Sequence, residues 1–139
     1  MRASQVSAVI HAGIIHHYLE GAYYPLGGGF AIPRAFIRAL NRRIDEGLAR
    51  FPAERRADVT LLFSAHGTPV SLVEQGDPYS HQIRATMEEV MRRREEQRDY
   101  HLSFQSKVGP AKWLTPDTVE KTRELAATGV RDLLVVPIA

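Results

Sequence analysis

At 139 residues, 44% of them hydrophobic, the chain fits one ordinary domain with a real core, which excludes global disorder. It contains no cysteine, so disulfides, thiolate zinc sites, iron–sulfur ligation and a cysteine nucleophile are all excluded. Its 18 Lys and Arg against 16 acids leave a net charge of +2, too small to argue for nucleic acid, and no apolar run reaches the ~18 residues of a membrane span.

The first segment is aromatic and glycine-rich, with His16, His17, Tyr18, Tyr23, Tyr24 and then Gly27, Gly28 and Gly29. It makes a poor signal peptide, and the expectation is a cytoplasmic chain. The glycines follow Pro25 rather than a buried strand, so they read as a turn; a dinucleotide fingerprint is absent. His11, His16 and His17 offer no i, i+4 pair and read as surface histidines rather than metal ligands. From Pro33, which can open a helix, Phe36, Ile37, Leu40, Ile44 and Leu48 follow helical spacing, and Pro52 marks the end. Val59 to Phe63 is an apolar run of strand formers, read as a buried strand.

A loop from Ser64 to Gly76 leads to Asp77 and Pro78, a cap followed by a first-position proline. Tyr79, Ile83, Met87, Val90 and Met91 form the buried stripe of the next helix, with Glu88, Arg92, Glu95 and Glu96 outside. Tyr100 to Gln105 is the second strand. Thr115 and Pro116 repeat the cap-plus-proline start, Val119, Leu125 and Ala126 make a weaker stripe, and Gly129 ends that helix. Val130 to Ile138 is the third strand. The expected elements are helices near 34–50, 78–97 and 116–128 and adjacent parallel strands near 59–63, 101–105 and 132–136. This alternation predicts a three-layer, Rossmann-like α/β fold, a parallel sheet with helices on both faces.

In such sheets ligands sit outside the carboxyl ends of the strands, which brings Ser64 to His66, Gln105 to Lys107 and Pro137 to Ala139 to one rim. His66 has the side chain suited to proton transfer near neutral pH and to holding a divalent metal. Ser64 could orient it or bond the loop backbone. A structural histidine bonding nearby carbonyls is the competing reading, and the strand-end position tilts against it.

The string Leu61 to Pro69 (LLFSAHGTP), then Gly76-Asp77-Pro78-Tyr79, then Phe104 to Pro110 (FQSKVGP), Trp113-Leu114 and Leu134 to Ala139 (LVVPIA) resembles ferrochelatase over about residues 33–139. The resemblance implies insertion of ferrous iron into protoporphyrin IX to give protoheme, a lyase reaction of heme biosynthesis. Iron is then a substrate, with no tightly bound cofactor and no iron–sulfur cluster. It implies that His66 binds the incoming iron, accepts a pyrrole proton, or both. Trp113 matches a porphyrin-lining tryptophan, with plain core packing as the equal alternative. Gln105, Ser106 and Lys107 match a polar substrate-binding stretch, where Lys107 could meet a propionate or simply be solvated. Asp77 reads first as a helix cap and Tyr79 as a packing residue, with site roles second. Peripheral membrane contact is admitted by the resemblance, nucleic acid is not expected, and the oligomeric state is open.

The family continues beyond this strand with a glutamate and a second histidine, and it has an N-terminal half forming the other wall of the cleft. The expectation is therefore a truncated domain that inserts iron far more slowly than an intact enzyme. Residues 6–32, with the string HHYLEGAYYPLGGG, resemble instead a stretch of FAD-dependent oxidoreductases of the phytoene desaturase and retinol saturase type. Residues 1–32 are accordingly set apart as a foreign, poorly packed segment. A flavin-oxidoreductase fragment and a non-catalytic, chimeric porphyrin-binding remnant are the alternative readings of the whole.

Overall fold

A computed structural model describes residues 32–138 and the backbone of Ser7–Ile10. The elements are β1 (Ser7–Ile10), α1 (Arg34–Leu48), a 3-10 turn (Ala53–Asp58), β2 (Thr60–His66), α2 (Val70–Glu74), α3 (Tyr79–Arg92), β3 (Tyr100–Gln105), α4 (Thr118–Ala127) and β4 (Asp132–Pro137). The strands form one four-stranded parallel sheet in the order β1-β4-β2-β3. β2 therefore runs between β3 and β4, with Phe63 opposite Leu102 on one side and Val136 on the other.

The alternation of side chains along β2 separates two cores. Leu61, Phe63 and Ala65 point to the face covered by α1 and α3, where they meet Ile37, Leu40, Ile44, Ile83, Met87 and Val90. Leu62 points to the opposite face, with Leu133 and with Leu125 of α4. A strand buried on both sides has no polar alternation, which is why β2 reads as a continuous apolar run. No helix among the described residues is long and apolar enough to cross a membrane.

The expected three-layer α/β fold is the observed one, and the differences lie at element ends. β2 extends to His66, so the imidazole sits on the last strand residue rather than in a loop. The Ser64–Gly76 stretch contains the short helix α2. α3 stops at Arg92, short of residue 97. Its buried stripe ends at Met91, and Arg94 then turns back to α1, donating to Asn41 Oδ1 at 3.0 Å and Asp45 Oδ1 at 2.7 Å. The cap of α4 is Asp117 rather than Thr115: its Oδ1 accepts the N–H groups of Val119 at 2.8 Å and Glu120 at 3.1 Å. Pro116 lies outside the helix, and its carbonyl accepts the Phe104 N–H at 2.9 Å.

β1 is a strand that sequence periodicity does not announce. Its backbone pairs with β4 from Ser7↔Asp132 to Ile10↔Val135, so for these four residues the expectation of poor packing gives way to edge pairing. Strand addition requires only backbone N–H and C=O groups, and β4 offers a free edge on that side. The remainder of the segment, with its flavoenzyme resemblance and its histidines, lies outside the described residues.

Candidate functional site

Two neighbouring strands send their following helices to opposite faces: β2 leads to α3 on one side of the sheet, β3 to α4 on the other. A crevice must open between their carboxyl ends, the general location of ligand sites in open α/β sheets. The residues at that point are His66 and Gln105, paired in register and both exposed.

Gly67 closes the base of the crevice. Its N–H donates to the Gln105 carbonyl at 2.7 Å, and a Cβ at this position would lie 2.7 Å from the same oxygen. Only glycine permits that approach, so the family-like string SAHG carries a steric requirement as well as an imidazole. Trp113 stands on the other side, with Cε3 3.5 Å from where that Cβ would be. A bridge to Pro69 holds it there: Val70 N–H donates to Lys112 O at 2.8 Å, and Leu114 N–H donates to Thr68 O at 3.1 Å. The ring is half-buried, and its Nε1 is buried without a hydrogen-bond partner.

Gly67, Gln105, Lys107, Trp113, the α4 cap Asp117 and Glu120 of α4 are among the residues that line a crevice of about 30 Å³. That is room for about one water, so a large flat ligand would lie across the rim rather than inside it. Lys107 reaches this lining because Ser106 adopts φ 68°, the left-handed region, and turns the chain after β3. For a residue with a Cβ that conformation costs about 1–2 kcal/mol. Ser106 itself is exposed.

Tyr79 stands behind His66 as the first residue of α3, its N–H held by Asp77 Oδ1 at 2.9 Å as the cap reading expects. Its hydroxyl is buried against the His66 backbone without completing a hydrogen bond. Burial pushes its pKa up, the backbone of His66 pulls against this, and the Asp77 carboxylate adds to the rise. The group is a neutral phenol at physiological pH.

Ser64 does not join the rim. It is 3% exposed, and its hydroxyl lies 3.0 Å from that of Thr118, so its side chain is engaged below the rim rather than presented on it. Among the described residues no three His, Asp or Glu side chains converge as a metal cluster. A groove of about 990 Å³ between α1 and Arg92–Glu96 holds none of the rim residues.

Sequence reasoning missed Gly67, Asp117, Glu120 and Thr118. For α4 the signal was present: Asp117-Thr118-Val119-Glu120 has the acid-x-x-Glu spacing of a capping box. For Thr118 no signal exists along the chain, because its partners are 54 and 15 residues away.

The ferrochelatase family profile matches residues 28–139. The chain is 46% identical over 104 residues to the ferrochelatase of Geotalea daltonii, covering 75% of this chain and 32% of that protein. It is 48% identical over 103 residues to human mitochondrial ferrochelatase, covering 74% and 24%, and 47% identical over 110 residues to the Geobacter metallireducens enzyme, covering 79% and 33%. The chain thus spans about a quarter to a third of the length of these relatives. With a profile match over most of the chain and a glycine-locked His66 at the sheet's switch point, the chain belongs to the ferrochelatase family.

Proposed function

We propose that the chain serves the insertion of ferrous iron into protoporphyrin IX to give protoheme, with His66 as the group that handles metal and proton. The observation that carries this reading is the position of His66: an exposed imidazole on the last residue of an otherwise buried central strand, one residue before Gly67, which lines the Trp113 crevice. Metallation expels two pyrrole protons from the macrocycle, so it needs a base at the ring face. A neutral imidazole accepts such a proton and also holds ferrous iron on its way in. Trp113 offers a flat apolar face to a flat apolar ligand. Lys107 supplies a cation for a propionate at the edge of the ring, and Gln105 an amide beside His66. Tyr79 supports the His66 backbone and touches no substrate. Residues 33–139 form the unit that does this, with iron and porphyrin as substrates and no resident cofactor.

Trp113 is the single tryptophan of the chain, which makes its fluorescence a clean reporter. Titrating protoporphyrin IX should quench that fluorescence and shift the Soret band. Trp113→Ala should weaken binding, followed by the Soret shift, by about tenfold or more, in keeping with ~1–3 kcal/mol for an aromatic stack on a planar ring. His66→Ala should leave binding intact. Porphyrin affinity indifferent to Trp113→Ala would remove the rim from the reading.

A further inference from the structure

Ser64 and Ser103 face each other across β2 and β3 on the side of the sheet covered by α4. Both are buried, at 3% and 0% exposure. Thr118, the first residue of α4, places its Oγ1 3.0 Å from each of their hydroxyls. Ser103 Oγ donates in turn to the Phe63 carbonyl at 3.2 Å. With that proton committed, the others follow in one direction. Thr118 donates to Ser103, and Ser64 donates to Thr118. The chain of hydroxyls runs from β2 through α4 to β3 and ends on the β2 backbone.

Side chains two residues apart on a strand share a face. The next row outward from Ser64 and Ser103 is therefore His66 and Gln105, roughly 7 Å further along the strands. This is also where the ladder ends. Beyond it β2 turns toward α2 and β3 toward the Ser106 turn, and the Gly67 N–H bond to the Gln105 carbonyl is the link between the two ends at this point. The Thr118 hydroxyl sits one row below, tying both strands to the start of α4.

We propose that Thr118 is a positioning residue for the His66–Gln105 rim. Resting on the reading of His66 as the metal- and proton-handling group, its hydroxyl bridge sets the separation and direction of the two strand ends from which that group acts. Thr118 touches no substrate. Valine at this position keeps the shape of threonine and removes both hydrogen bonds, leaving the buried Ser64 hydroxyl without its partner. Serine keeps the hydroxyl.

The test compares the wild-type chain with Thr118→Val and Thr118→Ser by amide exchange and by porphyrin metallation. In Thr118→Val the amides of Gly67 and Gln105 should exchange faster by about tenfold or more, while Leu62 and Leu134 in the middle of the sheet stay as they were. The metallation kcat should fall by about tenfold with KM for protoporphyrin unchanged, the size of effect expected when a group acts through another. Thr118→Ser should restore both. Exchange that rises evenly over the whole sheet would mean a merely structural residue and overturn the proposal. So would unaltered exchange at Gly67 and Gln105. If His66→Ala metallates like the wild type, the functional reading fails, and the local exchange pattern still decides the role of Thr118.

Discussion

Gly67 carries no functional group, yet the crevice depends on it. Gly67→Ala drives a methyl to 2.7 Å from the Gln105 carbonyl, a backbone atom that moves only if β3 moves. The expected cost is about 1–3 kcal/mol, read as a lower midpoint in urea unfolding, with porphyrin affinity falling as the strand ends part. An unchanged midpoint would contradict the close approach. His101 on β3 makes a second test at this scale. Burial first, and then the Lys121 ammonium, push its pKa below the ordinary histidine value, with Asp99 and Glu124 opposing. The unfolded chain therefore takes up this proton more readily than the folded one. Stability is full above about pH 6.5 and falls as the pH drops through the window below it. His101→Gln should flatten this part of the pH–stability curve; a curve of unchanged slope would exclude His101 as its source. Residue positions were legible unevenly. The strand-end position of His66 is visible in one dimension, although the strand runs on to His66 itself, and Trp113 is marked by the resemblance rather than by its pattern. The burial of Ser64 against Thr118 is not legible, because it depends on how α4 docks.

At the scale of elements, the start of α4 distinguishes two caps. Asp117 accepts two of the first-turn N–H groups, and Thr115 lies before Pro116, outside the helix. Asp117→Ala should cost about 1 kcal/mol, the usual value of an N-cap, whereas Thr115→Ala should leave stability nearly unchanged. The reverse order would show that the helix starts earlier. The far end of α4 behaves as its sequence suggests: Gly129 at φ 99° lets its own N–H reach Ala126 O at 3.2 Å and the Val130 N–H reach Leu125 O at 3.1 Å, a Schellman closure. Helices and the three long strands are readable because periodicity and punctuation are local. The end of α3 is not, since Arg94 leaves the helix to bind Asn41 and Asp45 of another element. β1 is not either, since an edge strand of four residues is defined by its neighbour β4 rather than by its own pattern.

For the whole molecule, the strand order explains both the core and the site. β2 is flanked on both edges and packed on both faces, so every one of its residues but His66 is buried. Phe63 is 0% exposed beneath α1 and α3. Phe63→Ala should cost about 3–5 kcal/mol, a large part of the stability of a domain this size. A loss below about 1 kcal/mol would mean the core is elsewhere. The parallel sheet with helices on both faces was predictable from the alternation of elements. The order of strands was not, because the return from β3 across β2 to β4 leaves no mark in the sequence. That same return opens the crevice at His66 and Gln105, so the site and the topology are one consequence.

The central claim is that His66 performs the chemistry on a porphyrin held at this rim. It is tested most directly by mixing the purified chain with protoporphyrin IX and ferrous iron without oxygen and following the Soret band as the metal enters. The account expects metallation faster than in the protein-free mixture, lost in His66→Ala while that variant still quenches Trp113 fluorescence on binding porphyrin. Equal metallation rates for the wild type and His66→Ala would contradict it.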